Sequence, residues 1–437
     1  MTDTQKAPIS PSDKKWTLIL GIAGAFITYF SMYAFRKPFS AAEFADLSLW
    51  GVDYKIILII TQVIGYTISK FMGIKVVSEL KPHQRITTII SLIGVAWVAL
   101  LLFGLVPQPY NFIFLFFNGL PLGMIWGMVF AFLEGRRQTE LLAAGMASSF
   151  IVASGFVKSV GRSFVLSGVS EFWMPFITGL CFVPTLFLGL WLLSKMAPPD
   201  DEDEAHRTER VPMTKADRGA FFKKFSVGIV SLTVIYMLLN AYRDFRDNFA
   251  VEIWNGLGFA DVPEILTFSE IPIAVLVLLI SAVMIVIRNN RSAFYVNFAM
   301  FLFGGVSVLV TTYLFNQNII GPAFWMISVG FGMYLAYMFY HTMLFERWIA
   351  LFKTKSNIGY LMYICDAFGY LASVGVMLYK DFFVAELSWL DFFKNLSIWM
   401  GVITIVLTIF TVFVFRWYEK RYDTDHGSTA SLAQAKS

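Results

Sequence analysis

Twelve apolar runs, each near or above the ~20 residues that carry a helix across a bilayer, decide what this chain can fold into. They lie near 16–45, 54–79, 86–106, 110–133, 141–166 and 173–195, then near 224–254, 265–288, 293–315, 321–350, 357–380 and 394–416. A chain in lipid must satisfy its backbone hydrogen bonds internally, and a continuous apolar run does so only as a helix. The runs therefore predict an all-α membrane protein of twelve spans. Composition excludes the soluble alternative, since 57% of the 437 residues are hydrophobic and only 15% are charged. Forty-five Phe, eighteen Tyr and twelve Trp suit a lipid-facing surface with aromatic rings at its interfaces.

The runs fall into six and six around a polar stretch, 197–224, which holds Asp200-Asp-Glu-Asp-Glu204 followed by Arg207, Arg210, Lys215, Arg218, Lys223 and Lys224. That stretch is too polar to cross and long enough to tie two bundles together. The expected organisation is a tail 1–15, a six-helix half 16–196, a linker 197–223, a second six-helix half 224–418 and a tail 419–437. The first run is about twice as long as a signal-peptide core, so it is expected to remain as an anchor. With the N-terminus in the cytoplasm, one face receives Lys14-Lys15, Lys81 with Arg85, Arg136-Arg137, the basic linker, Arg288 with Arg291, Arg347 with Lys353 and Lys355, and Arg416 to Arg421. The opposite loops, such as Val106 to Tyr110 and Asn316 to Asn318, are nearly bare of positive charge. Both termini are therefore expected to be cytoplasmic, which an even number of spans requires.

Chemistry is not expected. The loops show no nucleophile-and-base constellation, no glycine-rich phosphate loop and no metal-ligand spacing. Cys181 and Cys365 both lie within apolar runs, which argues against a disulfide framework. Gly119-Leu-Pro-Leu-Gly123 reads as helix packing rather than as a nucleotide site. No cofactor, no metal and no nucleic-acid partner is expected, and the lipid bilayer is the expected surrounding.

Charged residues inside spans are costly and normally face a cavity or a partner. Arg36, in Tyr33-Ala-Phe-Arg-Lys-Pro-Phe39, closes the first run, and Ala-Tyr-Arg-Asp (Ala241 to Asp244) recurs after the run that opens the second half. One arginine at the same place in each half is the pattern of a two-fold cavity built to hold an anion. Counted from Trp16, however, Arg36 lies roughly 30 Å along a helix, where an arginine would simply meet water at the boundary. Apolar residues continue beyond it to Phe44, and any protrusion of the first turns would bring it inward.

Gln62, Tyr66 and Lys70 recur at four-residue spacing on one face of the second run, beside a small-residue stripe of Gly65, Ser69 and Gly73. Snorkelling is the plain alternative for Lys70. Ser154, Lys158 and Arg162 repeat the device in the fifth run, and two cations there need an anion or an acid. Tyr236, Asn240, Arg243 and Asp247 share a face of the seventh run. Arg246 competes with Arg243 and reads as structural, with Asp244 and Asp247 close by. Acids within runs are fewer: Glu270 in the eighth, and Asp366 in the eleventh on one face with Tyr370.

Together these features resemble the organophosphate:phosphate antiporter branch of the major facilitator superfamily, which includes glycerol-3-phosphate and hexose-phosphate carriers. Tyr33-Ala-Phe-Arg36-Lys37-Pro-Phe39 matches its first-helix Tyr-x-x-Arg-Lys-x-Phe, and Tyr66-Thr-Ile-Ser-Lys70-Phe71 matches its second-helix motif with one change. Arg243 matches the seventh-helix arginine, and Phe368-Gly-Tyr-Leu371 the eleventh-helix motif. The resemblance implies two pseudo-symmetric six-helix halves and a monomer in a bacterial inner membrane. It also implies a phosphate gripped by Arg36 and Arg243 with help from Lys70. Tyr33, Tyr66, Lys158, Tyr236 and Asn240 complete the expected binding set.

In this fold helices two and eleven face each other, as do five and eight. Lys70 with Asp366, and Lys158 with Glu270, are then expected ion pairs, with Asp366, Glu270 and Arg162 as coupling or gating groups. Such pairs would be structural, would break and reform during transport, or would carry a proton. The chain departs from the family where Asn248 and Phe249 replace an acid and a tryptophan, and where the fifth helix lacks a histidine. Three functions follow: an exchanger of organic anions such as phosphate esters for phosphate, a proton-coupled carrier using Asp366 or Glu270, and a membrane sensor that binds an organophosphate without moving it.

Overall fold

Among the described residues of the computed structural model, twelve helices are long and apolar enough to span a membrane. The structure describes residues 11–133, 139–197, 215–353 and 358–434. The acidic run Asp200 to Glu204, with Arg207 and Arg210, and the Arg136-Arg137 pair, lie outside the described residues. The spans run Trp16–Tyr33, Tyr54–Gly73, Pro82–Leu105, Tyr110–Leu133, Ser148–Leu166 and Met174–Ser194, then Ala216–Asn248, Ile265–Met284, Asn290–Asn316, Pro322–Phe339, Tyr360–Phe383 and Trp389–Arg421. Large apolar side chains such as Phe71, Leu279, Val283, Val286 and Phe413 stand at least half exposed. A surface of that kind is stable only against lipid, so the protein is a multi-pass membrane protein.

The chain clusters into two units. The first combines 1–209 with 245–278 and 377–390, and the second combines 210–244, 279–376 and 391–437. The end of the seventh span, most of the eighth and the end of the eleventh therefore cluster with the first half of the sequence.

In the first unit, glycines let helices touch at their backbones. A Cβ at Gly65 would collide with the carbonyl of Phe116, and one at Gly119 with the carbonyl of Gln62. A Cβ at Gly123 would lie 2.6 Å from the Tyr66 oxygen. The small-residue stripe beside Lys70 thus docks the second span on the fourth, as expected from its spacing. Between the first two spans a short antiparallel pair, Ser48–Leu49 with Val52–Asp53, turns through Trp50 and Gly51, both at positive φ. Asp53 then caps the second helix, its Oδ1 accepting from the Lys55 amide at 2.8 Å. Burial pushes the Asp53 carboxyl above its ordinary value.

In the second unit the ninth and tenth spans approach at Gly304 and Gly332, each glycine facing the other's carbonyl oxygen. Trp325 stacks on Phe315 with centroids 4.4 Å apart and donates from Nε1 to Thr312 at 3.1 Å. The tenth span passes through one π turn, Tyr340–Leu344, before the helix Phe345–Phe352.

Candidate functional site

Arg36 does not lie on the first helix. The sequence predicts helix to about residue 45, but the helix ends at Tyr33 and a short 3-10 turn, Pro38–Ala41, follows. Proline at 38 withholds an amide, so the α-helical ladder cannot continue through it. The amides of Phe35 and Arg36 instead donate to the carbonyls of Met32 and Tyr33 at 3.0 Å each.

Side chains from two other spans hold this turn. Asn118 Nδ2 donates to the Phe35 carbonyl at 2.8 Å and to that of Ala96 at 2.9 Å. Gln62 Nε2 donates to the Arg36 carbonyl at 2.8 Å and to Asn118 Oδ1 at 2.7 Å. Asn118 is fully buried and Gln62 nearly so, so each amide is committed to these bonds. The Arg36 guanidinium lies over the Tyr66 ring, 3.8 Å from its centroid, and the Lys70 ammonium lies 5.7 Å from the same ring. Each such contact stabilises a cation by roughly 0.5–2 kcal/mol. Tyr33 is buried and meets Tyr29 edge to face at 5.6 Å. Arg36, Tyr66 and Lys70 of the expected set therefore come together around a tyrosine that gathers two positive charges, and Tyr33 lies in the same unit.

Lys158 has a different partner from the one expected. Its Nζ donates to Asp247 Oδ1 at 2.7 Å and to the Asp247 carbonyl at 2.6 Å, while Ser154 Oγ donates to the same Oδ1 at 2.5 Å. Lys37 reaches Asp247 Oδ2 at 2.5 Å and Asn248 Oδ1 at 2.8 Å. The expected Lys158–Glu270 pair is thus corrected, because Arg246 Nη1 donates to Glu270 Oε1 at 2.6 Å. Glu270 is thus a counter-ion of Arg246. Arg162 pairs with Glu43 at 2.9 Å, and Asn255 Nδ2 donates to the same Glu43 oxygen at 2.9 Å. Asp247, read from spacing as sharing the Arg243 face, belongs to the first unit, while Arg243 belongs to the second. Lys55 bonds Glu252 and donates to the Ser40 carbonyl at 3.0 Å, both side chains being buried. Burial pushes the Glu252 carboxyl up to about 6 in spite of that lysine.

The second unit holds Tyr236, Asn240 and Arg243, which share a face by spacing, together with Asp366, which spacing does not join to them. Arg243 donates to Asp244 Oδ1 from Nη2 at 2.7 Å and from Nε at 3.2 Å, and its guanidinium lies 4.3 Å from the Tyr337 ring centroid. Asp244 Oδ2 accepts from Ser373 Oγ at 2.8 Å and from Asn240 Nδ2 at 3.4 Å. Tyr236 Oη donates to Asp366 Oδ1 at 2.5 Å and lies 3.3 Å from Tyr337 Oη. His341, which pattern reading passed over, sits on the π turn with its ring 4.6 Å from that of Tyr337. Its Nδ1 lies 3.3 Å from the Tyr337 carbonyl, an oxygen that can only accept. A histidine within an apolar run was the available signal.

Two units, twelve spans and arginine-centred polar clusters define a major facilitator fold. The chain belongs to a family of unknown function, DUF5690, whose model matches residues 38–418. A search of curated proteins returned no match. Among solved structures the chain is similar to a proton-dependent oligopeptide transporter, at 12% identity and TM-score 0.64, covering 93% of this chain and 99% of that one. It is similar to a bacterial homologue of the human drug peptide transporters PepT1 and PepT2, at 14% identity and TM-score 0.61, covering 95% and 100%. A D-xylose-proton symporter matches at 15% identity and TM-score 0.55, covering 91% and 97%.

Proposed function

We propose that this protein is a secondary carrier working by alternating access, which binds an organic anion of the phosphate-ester class and exchanges it for inorganic phosphate. The observation that carries the reading is the Tyr66 ring shared by Arg36 and Lys70. Two cations gathered at one aromatic ring inside a membrane protein raise the local potential, and a dianion answers that field better than a neutral solute. A guanidinium fork also matches two phosphate oxygens at once. Arg243 supplies a second guanidinium at the matching sequence position of the other half. Similarity to solved structures named as transporters and symporters supports movement of a solute over binding alone. The carrier would sit in a bacterial inner membrane as a monomer with both termini cytoplasmic, as the loop charges suggest.

Proteoliposomes loaded with phosphate test this directly. Arg36→Lys and Arg243→Lys should each abolish uptake of labelled phosphate against internal phosphate, because a point-charge lysine cannot reproduce the fork. Full exchange in both variants would overturn the reading. Stabilisation by a phosphate ester without any counterflow would favour the sensor.

A second reading rests on Asp366. Its 2.5 Å bond from Tyr236 places a carboxyl and a phenol where a proton could be held. Proton-driven uptake that is lost in Asp366→Asn would favour it, and uptake that survives that change would count against it.

A further inference from the structure

The two arginines are followed by opposite charges, Lys37 after Arg36 and Asp244 after Arg243. Lys37 turns away to Asp247. Asp244 stays with its arginine, and both donors, Nη2 and Nε, converge on the single oxygen Oδ1. The other oxygen is anchored elsewhere. Ser373 Oγ donates to Oδ2 at 2.8 Å, and Asn240 Nδ2 reaches both Oδ2, at 3.4 Å, and Ser373 Oγ, at 2.9 Å. Asn240 and Ser373 are almost fully buried. Gly369, one turn before Ser373, makes this possible: a Cβ there would come within 2.8 Å of the Tyr236 ring and 3.3 Å of Asn240 Cβ. The carboxylate thus keeps its place through bonds that do not involve Arg243. Nη1 takes no part in the Asp244 bonds.

We propose that Asp244 is the built-in counter-ion of Arg243 and that it sets the transport mode, allowing the carrier to reorient empty and so to move substrate in a net direction as well as by exchange. The inference rests on the anion reading of Arg243 given above. A buried guanidinium without a counter-charge opposes any step that desolvates it further. In an exchanger the substrate supplies that charge, so the empty protein is locked. Here Asp244 supplies it in the empty state and yields part of it when a phosphate arrives. Net flux and exchange should therefore both be measurable in the native protein.

The test uses the full chain in proteoliposomes with inorganic phosphate as the probe. Exchange is read with equal phosphate on both sides, and net efflux is read into phosphate-free buffer. In Asp244→Asn the ratio of net efflux to exchange should fall about tenfold or more, since exposing a buried charge without its partner is costly. Asp244→Glu should restore the ratio. Ser373→Ala, which removes the shorter of the two bonds to Oδ2 without removing the charge, should give an intermediate fall and serves as the readout if the asparagine variant fails to fold. A ratio unchanged in Asp244→Asn, or in Ser373→Ala where that variant must stand in, overturns the proposal while leaving the anion reading intact. Native protein that catalyses neither phosphate flux overturns both.

Discussion

Arg36 and Arg243 occupy matching places in the two halves of the sequence and are handled in opposite ways. Arg36 sits on a tyrosine with a second cation, Lys70, over the same ring, and its position is fixed through its backbone by Asn118 and Gln62. Arg243 also faces a tyrosine, but an adjacent acid takes two of its donors, and Asn240 and Ser373 hold that acid. In one half two cations meet at one ring, and in the other an arginine meets an adjacent acid. A shared motif therefore sets where an arginine stands in the chain, and the following residue, lysine or aspartate, decides whether an adjacent acid holds it.

The largest effect expected lies in the first unit, at the acid that Lys37 reaches. Asp247→Asn removes the charge that serves both Lys37 and Lys158, leaving two buried ammonium groups, and should cost about 3–5 kcal/mol. Thermal unfolding in detergent reads it, and adding Lys158→Met should recover part of the loss. Next, Arg36→Ala should weaken anion binding by about 100-fold and Arg243→Ala by only about 10-fold, because Asp244 already draws on the second arginine. Calorimetric titration with phosphate measures both, and equal losses would break the contrast.

A pH effect of middle size belongs to Glu252. Its folded carboxyl titrates at about 6, above the ordinary 4.5. The folded state therefore holds the proton more tightly, and its contribution to stability is fullest below the ordinary value and is lost as pH rises through about 6. A raise of this size corresponds to about 2 kcal/mol between acid and neutral conditions. Glu252→Gln should flatten the change of unfolding temperature between pH 4.5 and 6.5. The smallest effect tests the aromatic platform. Tyr66→Phe should keep anion affinity within about threefold, whereas Tyr66→Leu should lose about 1 kcal/mol of cation positioning.

Much of the architecture was legible in the sequence because lipid imposes one solution on long apolar runs. The Gln62, Tyr66 and Lys70 face was legible too, since four-residue spacing on a helix is local geometry. The end of the first helix at Tyr33 was missed although Pro38 marked it, because hydropathy continues to Phe44 without a break. The ion-pair partners were missed for another reason. Asp247 follows the Arg243 spacing but packs with Lys158, at a sequence separation of 89, and no periodicity reports such a contact. No spacing singles out Asn118, and its role in holding the Arg36 turn depends on separate chain segments meeting.

The central claim is that Arg36, Tyr66 and Lys70 form an anion site. The most direct measurement is a thermal-shift screen of purified native protein and Arg36→Ala against phosphate, phosphate esters, carboxylates and neutral sugars. Stabilisation of the native protein confined to phosphorylated ligands, and absent from Arg36→Ala, is the predicted result. Equal stabilisation of both proteins, or a shift produced by neutral sugars alone, would contradict it.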